Sequence, residues 1–389
     1  MKITWVTRSF LDYRIPVYKE VNRLCGNQLS IIYYADVVPD RCKDKLKNIL
    51  GRRAIGLKGE IRLGGKKIEN QSFANSGGIR IPLRPGLIRK LRETKPDVIL
   101  SDGFFQWTYA AIAANMLWKI PHVMCYERTL HTERNVTKFR TIGRKLASSY
   151  INVVCCNGVQ TKDYLMKLGF AEDRLFIGNM AADYLGLQSS VKEINVQGTN
   201  SLKDHINAKG ISFLYVGQLI PRKGIMELLK AWEEFSISLN PDAKLILVGG
   251  GEQENDVKSY ISNHELKNVN VTGPVDYNEI ATYYASADVF IIATLEDNWS
   301  LVVPEAMSVG LPIICSKYNG CWPELVKPEN GWVFDPLEPE DFVQTLKEAW
   351  EKRSYWKAMG QKSLEIVLDF TPEKVANNIF NACLSVTGK

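Results

Sequence analysis

Short runs of β-branched and aromatic residues alternate with helical stretches along almost the whole chain. Strands that alternate with helices in this way are typical of parallel sheets joined by right-handed crossovers. The runs predict strands at 3–6, 29–34, 97–100, 122–126, 152–155 and 175–177, and again at 212–216, 244–248, 269–272, 289–293, 312–315 and 332–334. The pattern therefore predicts a duplicated α/β architecture.

A polar segment at 188–210, rich in Ser, Asn, Lys and Gly, separates the two halves and predicts an interdomain linker. At 389 residues the chain exceeds what one hydrophobic core usually serves. We therefore expect an N-terminal Rossmann-like domain at 1–187 and a C-terminal one at 211–368. The pattern becomes wholly helical after Asp341, and we expect the segment 369–389 to pack back on the first domain.

The composition is that of a soluble globular protein, with 45% hydrophobic and 24% charged residues. No stretch reaches the roughly 18 uninterrupted apolar residues that predict a membrane span. The eight cysteines are scattered, without a C-x-x-C pair or zinc-ligand spacing. This arrangement favours reduced thiols in a cytoplasmic protein.

The net charge of +6 is uneven, because ten cations lie between Arg41 and Lys67 against only Asp44 and Glu60. This basic 41–67 segment is either a solvated loop or a patch that meets anionic lipid or a pyrophosphate-bearing acceptor. No aromatic-interleaved or groove-reading motif accompanies the charge. We therefore expect no nucleic-acid partner.

Ligands of open parallel sheets bind beyond the carboxyl ends of the strands, which directs attention to four loops of the second half. The first, 217–224, places Arg222 and Lys223 at the start of a helix, where acids are usual. Two cations there indicate a bound phosphate, with a solvated basic turn as the alternative. The second loop, 248–252, has three glycines, which permit close approach of a ligand or simply tight packing.

The third loop and its short helix, 295–310, carry Glu296, Asp297 and Glu305. Pro304 fits the first turn of that helix, which puts Glu305 at its N-terminus, where an acid is stabilising anyway. Carboxylates on adjoining loops can share the hydroxyls of a ribose or a hexose. The fourth loop, 318–324, contains an Asn-Gly turn that either frees N–H groups for a ligand or only connects two elements.

Together these motifs resemble glycosyltransferase family 4: a strand, Gly-x-x-x-x-x-Lys-Gly, a Gly-rich turn, an acid-x7-Glu motif and an Asn-Gly turn. The match is most specific from Tyr215 to Asp335. The acidic motif runs from Asp297 to Glu305, with Asp where the family has Glu. The resemblance implies the GT-B fold, in which two Rossmann-like domains face each other across a cleft, and a retaining transferase that uses a nucleotide sugar.

By this resemblance, Glu305 would hold the donor ribose, and either Asp297 or Glu296 the hydroxyls of the transferred sugar. Lys223 would bind the diphosphate, with Arg222 as the second cation. His131 would be the catalytic-loop His of the first domain, with a surface His as the alternative. The catalytic candidates are thus Asp297, Glu305, Lys223 and His131. Further donor contacts are predicted at Gly217, Gln218, Gly250, Gly273, Val275, Asn298, Trp299, Ser300 and Leu301.

The sequence has no Asp-x-Asp triplet, so we expect Lys223, Arg222 and a helix dipole to stabilise the leaving diphosphate without a metal ion. The expected reaction moves a hexose or N-acetylhexosamine from a UDP-sugar or GDP-sugar to a glycan or lipid-linked glycan. We expect it in the cytoplasm, peripherally at an anionic membrane surface. The alternatives are a nucleotide-sugar epimerase of the same architecture and a catalytically silent partner protein.

Overall fold

The computed structural model describes residues 1–59, 62–63, 79–80, 86–181, 184–197, 210–239 and 242–388. The chain divides into two units, one formed by Met1–Ala181 together with Pro372–Lys389 and the other by Ala182–Thr371. Each unit contains its own parallel sheet with flanking helices. The duplicated α/β architecture predicted from the sequence is confirmed.

The first sheet has seven parallel strands in the order β3-β2-β1-β6-β7-β8-β9. Every residue of β1 is buried, as expected for a parallel strand inside a sheet that helices cover. A separate antiparallel pair is formed by β4 and β5. The strands are β1 (Ile3–Thr7), β2 (Leu29–Tyr34), β3 (Ala54–Leu57), β4 (Arg62–Leu63), β5 (Ile79–Arg80), β6 (Val98–Asp102), β7 (His122–Tyr126), β8 (Val153–Cys156) and β9 (Leu175–Ile177).

The third strand is absent from the sequence prediction, because only Ile55 and Leu57 of its four residues are large and apolar. Helices connect the strands of this unit. They are α1 (Ile15–Leu24), α2 (Asp40–Leu50), α3 (Leu87–Glu93), α4 (Thr108–Trp118), α5 (Lys138–Ser148) and α6 (Val159–Lys167).

The second sheet has six parallel strands in the order β12-β11-β10-β13-β14-β15. They are β10 (Ile211–Val216), β11 (Ala243–Val248), β12 (Val269–Gly273), β13 (Val289–Ile292), β14 (Ile313–Ser316) and β15 (Gly331–Phe334). The helices of this unit are α7 (Leu185–Gln197), α8 (Ile225–Leu239), α9 (Glu254–Asn263), α10 (Tyr277–Ser286), α11 (Val302–Ser308), α12 (Trp322–Leu325), α13 (Pro339–Glu351) and α14 (Trp356–Val367).

The structure differs from the predicted linker at 188–210, because α7 continues to Gln197. Leu187 and Val191 are buried, and Gln188 Nε2 donates a hydrogen bond to the carbonyl oxygen of Ser308 at 2.9 Å. Tertiary packing thus stabilises a helix that its polar local sequence does not predict. Residues 198–209 lie outside the described residues.

The last helix, α15 (Pro372–Thr387), is part of the first unit. Its buried side chains Val375, Ile379 and Cys383 belong to the same apolar cluster as Ile3 and Val17. This helix therefore completes the core on one face of the first sheet.

The cysteines serve packing, since all eight are buried and free of disulfide bonds. Within the described residues, no helix combines the length and apolar character needed to cross a bilayer.

Candidate donor site at the edge of the second sheet

The loops after β10 and β13 meet at the carboxyl edge of the second sheet. Because β11 lies on one side of β10 and β13 on the other, the gap between these loops is the switch point at which such sheets bind ligands. The loop after β10 forms the short 3₁₀ helix Pro221–Lys223. The carbonyl oxygen of Arg222 accepts hydrogen bonds from the backbone N–H groups of Leu295 at 2.8 Å and Glu296 at 3.2 Å. These bonds fix the basic loop, which follows β10 and carries Arg222 and Lys223, against the acidic loop, which follows β13 and carries Glu296 and Asp297.

Gly224 permits this close approach. Its φ of +66° lies in the left-handed region, and a Cβ atom there would lie 2.0 Å from the carbonyl oxygen of Ala293. No larger residue fits without moving the end of β13. The Lys-Gly pair of the sequence motif is thus explained at its second position by contact between two backbones.

Lys223 and Asp297 form an ion pair between the two loops, with side chains only 13% and 14% exposed. Asp297 also accepts hydrogen bonds from Ser300 Oγ at 2.7 Å and from the backbone N–H of Trp299 at 3.1 Å. Burial on its own would raise the pKa of Asp297, but the Lys223 ammonium and these hydrogen bonds outweigh it and lower that pKa. Asp297 is therefore a carboxylate at neutral pH.

The loop after β14 supports the ion pair from the other side. The backbone N–H of Asp297 donates to the carbonyl oxygen of Tyr318 at 3.2 Å, and that of Gly320 donates to the carbonyl oxygen of Asp297 at 3.0 Å. Asn319 is fully buried, and its Oδ1 accepts from the backbone N–H of Ser300 at 3.3 Å. The sequence does not single out Asn319, although the Asn-Gly turn marks its loop. Its role depends on this hydrogen bond to Ser300, 19 residues earlier in the chain, which no local pattern reveals.

Three buried polar atoms of these loops have no hydrogen-bond partner within the described part of the chain. They are Oδ1 of Asn298, Nε1 of Trp299 and Nδ2 of Asn319. Buried polar atoms are normally paired, and each unpaired one calls for an explanation. A hydroxylated ligand offers both donors and acceptors to such atoms.

The glycines of the second predicted loop are accounted for by packing. The backbone N–H of Gly249 donates to the carbonyl oxygen of Gly273 at 3.0 Å, and that of Leu219 donates to the carbonyl oxygen of Gly250 at 3.0 Å. A Cβ atom on Gly249 would lie 1.9 Å from the carbonyl oxygen of Gly217. Tight packing, one of the two alternatives left by the sequence, is thus observed here, and the donor contact at Gly250 stays a prediction.

Glu305 lies in α11, beyond the acidic loop, and its side chain is partly buried. Its Oε2 accepts a hydrogen bond from Tyr284 Oη of α10 at 3.1 Å. The structure thus brings together Lys223, Asp297 and Ser300, and it places Glu305 with Tyr284 in a second group. The sequence does not predict Tyr284 as its partner.

The other predicted donor contacts lie around the same edge. Gln218 and Arg222 are exposed, while Glu296, Val275 and Leu301 are partly buried. The carbonyl oxygen of Gln218 accepts a hydrogen bond from Tyr215 Oη at 2.9 Å, which braces the loop after β10. The roles assigned to these residues by resemblance stay predictions.

His131 lies in the first unit, between β7 and α5, and is partly buried. Its carbonyl oxygen accepts hydrogen bonds from the backbone N–H of Arg134 at 3.3 Å and from Arg134 Nη1 at 2.6 Å. These contacts fix the backbone of its turn. The catalytic role of His131 stays a prediction.

Two units, each built on a parallel sheet with flanking helices, are the architecture of the GT-B class of folds. HepE of Anabaena, in its complex with UDP and glucose, matches 99% of this chain and all of its own at a TM-score of 0.68 and 17% identity. At that identity the likeness shows the fold alone. The predicted GT-B fold is confirmed.

The model of the glycosyl transferases group 1 family matches residues 198–365. The sulfoquinovosyl transferase SQD2 of Arabidopsis thaliana is 23% identical over 78% of this chain and 60% of its own length. The alpha-monoglucosyldiacylglycerol synthase of Acholeplasma laidlawii is 26% identical over 64% of this chain and 66% of its own length. Residues 198–365 thus match a group 1 glycosyltransferase domain, in agreement with the resemblance found in the sequence, while the chain spans only about 60% of the length of SQD2.

Proposed function

We propose that this chain is a retaining family 4 glycosyltransferase that moves a hexose or N-acetylhexosamine from a UDP-sugar or GDP-sugar to a glycan or lipid-linked glycan. The reaction takes place in the cytoplasm at the inner face of a membrane and needs no metal ion. The observation that carries the proposal is the buried Lys223–Asp297 ion pair between the loops after β10 and β13.

Cleavage of a nucleotide sugar leaves negative charge on the departing diphosphate, and an enzyme accelerates it by stabilising that charge. Lys223 is a cation already fixed at the sheet edge by Asp297, so little side-chain ordering remains when phosphate binds. Arg222 beside it is exposed and reaches the carbonyl oxygen of Glu296 only at 3.5 Å. Its guanidinium is therefore available as the second phosphate ligand. The start of α8, directly after Gly224, adds partial positive charge.

Asp297 has room for one more hydrogen bond. Its carboxylate accepts three hydrogen bonds, from Lys223 Nζ, Ser300 Oγ and the backbone N–H of Trp299, whereas a carboxylate has about four lone-pair sites. A hydroxyl of the transferred sugar supplies the fourth. Asn298 and Asn319, with one unpaired buried atom each, supply further contacts to a hydroxylated ligand.

Glu305 holds the ribose of the donor in this proposal. Its carboxylate accepts a hydrogen bond from Tyr284 Oη, and carboxylate oxygens are the acceptors that vicinal hydroxyls need. One relative is named an alpha-monoglucosyldiacylglycerol synthase, and a diacylglycerol product supports a lipid-linked acceptor for this chain as well.

Product analysis with labelled donors tests the reaction. The full chain is incubated with labelled UDP-sugars and GDP-sugars and with glycan and lipid-linked acceptors. Transfer with the anomeric configuration of the donor kept is the expected result. A free epimerised nucleotide sugar would instead indicate an epimerase, and an unchanged donor a silent partner protein. Either outcome would overturn the proposal.

Donor binding is tested separately by thermal shift, since a ligand that binds the folded chain raises its apparent stability by mass action. A nucleotide sugar should raise the Tm of the wild type but not of Lys223→Met. Lys258→Met is a matched control, because Lys258 forms its ion pair with Glu254 on the exposed surface of α9. An equal ligand shift in all three proteins would remove Lys223 from the donor site.

A further inference from the structure

The helix α5 lies on the first unit with its apolar side outward. Its three large apolar side chains, Phe139, Ile142 and Leu146, are 87%, 57% and 69% exposed. Spacings of three and four residues place them on one face of the helix, called here the α5 apolar face. A surface helix normally buries such a face. Its exposure marks a surface that meets another phase or molecule.

The buried side of α5 is polar and fixes this orientation. Arg144 Nη1 donates hydrogen bonds to Glu133 Oε2 at 2.6 Å and to Tyr164 Oη at 2.5 Å. Arg144 and Glu133 are 7% and 4% exposed, so turning the helix would break a buried ion pair and leave Glu133 with only Arg128, at 3.2 Å, as its ion-pair partner among the described residues. Thr137 Oγ1 also caps the helix by accepting a hydrogen bond from the backbone N–H of Arg140. The α5 apolar face is therefore held outward.

Three exposed cations flank this face: Lys138, Arg140 and Lys145. Their side chains make no ion pair or hydrogen bond within the described ranges of the chain. At about 100° per residue, Lys138 and Lys145 lie on one side of the apolar stripe and Arg140 on the other. Apolar side chains between uncompensated cations match the chemistry of an anionic bilayer surface.

The basic 41–67 segment offers this chemistry less well. Arg41 and Lys45 both pair with Asp12, at 2.8 and 2.9 Å, and Lys43 pairs with Asp40 at 2.6 Å. Four of its eight described cations, Arg41, Lys43, Lys45 and Lys47, thus form ion pairs within the first unit. Lys66 and Lys67 lie outside the described residues.

We propose that the α5 apolar face is the surface by which this chain docks on an anionic lipid bilayer, with Phe139, Ile142 and Leu146 entering the acyl boundary and Lys138, Arg140 and Lys145 meeting the headgroups. This inference rests on the membrane association proposed above and names the surface responsible. A vesicle assay contains neither donor nor acceptor, so its failure would leave the proposed transfer reaction untouched.

Sedimentation of the full chain with vesicles tests the docking. The wild type should co-sediment with vesicles of phosphatidylcholine and phosphatidylglycerol, and only weakly with vesicles of pure phosphatidylcholine. The triple variant Phe139→Ser, Ile142→Ser, Leu146→Ser should lower binding by roughly tenfold or more. Replacing the three cations with Gln should lower binding about fivefold per cation, only for anionic vesicles. The control Ile237→Ser removes an apolar side chain that is 77% exposed on the second unit and should bind as the wild type does.

A labelled cysteine locates the contact without removing the apolar stripe. Since all eight native cysteines are buried, Phe139→Cys offers one accessible thiol for an environment-sensitive maleimide dye. Anionic vesicles should shift the dye emission to the blue at position 139 and leave it unchanged in Ile237→Cys. Vesicle binding without a shift at 139 would overturn the proposal. So would a shift that depends on protein concentration alone, which would indicate that a second copy of the chain covers the face.

Discussion

Two variants of the Lys223–Asp297 ion pair should show that its effect on protein stability is separate from its effect on transfer activity. Lys223→Met leaves Asp297 buried and ionised, held only by Ser300 Oγ at 2.7 Å and the backbone N–H of Trp299 at 3.1 Å. Breaking one side of a buried ion pair costs about 3–5 kcal/mol. Because both side chains keep some exposure, we expect the free energy of unfolding to fall by about 3 kcal/mol at neutral pH.

The double variant Lys223→Met, Asp297→Asn removes both charges and should recover most of this loss, to within about 1 kcal/mol of the wild type. It should not recover activity. Losing a preorganised donor to a developing anion costs roughly 100-fold to 1,000-fold in kcat. Both variants should therefore be poor enzymes, and the double variant at least as poor as the single one because it also lacks the Asp297 carboxylate, although only the single variant is unstable.

The pKa of Asp297 determines how the stability loss in Lys223→Met changes with pH. In the wild type the pKa of Asp297 is lowered, so its stabilisation is present above the unfolded pKa of about 3.9 and is lost as the pH falls through the folded pKa. Without Lys223, burial dominates and raises the folded pKa of Asp297. The penalty in Lys223→Met is then present at neutral pH and fades as the pH falls toward about 4.

Urea unfolding across this pH range, together with transfer assays at neutral pH, checks the reasoning. The stability gap between the wild type and Lys223→Met should be widest near neutrality and close in acid. A gap that does not change with pH, or a double variant as unstable as the single one, would refute the electrostatic account. A double variant with wild-type kcat would refute the role of Lys223 in the reaction.

Three further outcomes are expected. Glu305→Gln should lower kcat/KM roughly 10-fold to 100-fold, the size of one hydrogen bond to a charged group, while Tyr284→Phe should affect stability more than rate. Transfer activity should survive a chelator, and a loss restored only by added divalent cation would contradict the metal-independent proposal. Gly224→Ala should unfold at lower urea than Gly26→Ala: both glycines have positive φ, but only at Gly224 would the new Cβ strike a backbone oxygen. Similar midpoints for the two would contradict the close approach to Ala293.

Periodicity predicted the two parallel sheets because most strands are short runs rich in β-branched and other apolar residues, with helices between them. It did not predict β3, where Ile55 and Leu57 are too few to stand out, or the helical state of 188–197. In the second case the stabilising contacts are tertiary: Leu187 and Val191 are buried, and Gln188 bonds to Ser308, 120 residues away.

At the candidate site the sequence supplied residue types and loop positions, since Lys223 and Asp297 both follow strands of one predicted sheet. It could not show that they pair with each other, because 74 residues separate them. The partners Asn319 and Tyr284 were missed for the same reason. The sequence also could not show that the α5 apolar face is exposed, because periodicity reveals that a helix has an apolar face but not whether that face is turned to the core or to the surface.

The position of α15 sets the order in which the chain can finish folding on the ribosome. Strands β1 to β9 leave the exit tunnel first, yet Val375, Ile379 and Cys383, which seal one face of their core, are synthesised after the entire second unit. This apolar face of the nascent first unit therefore stays exposed while some 190 further residues emerge from the ribosome. Chaperone binding to the nascent chain should therefore persist until α15 has emerged, even when the second unit has already folded.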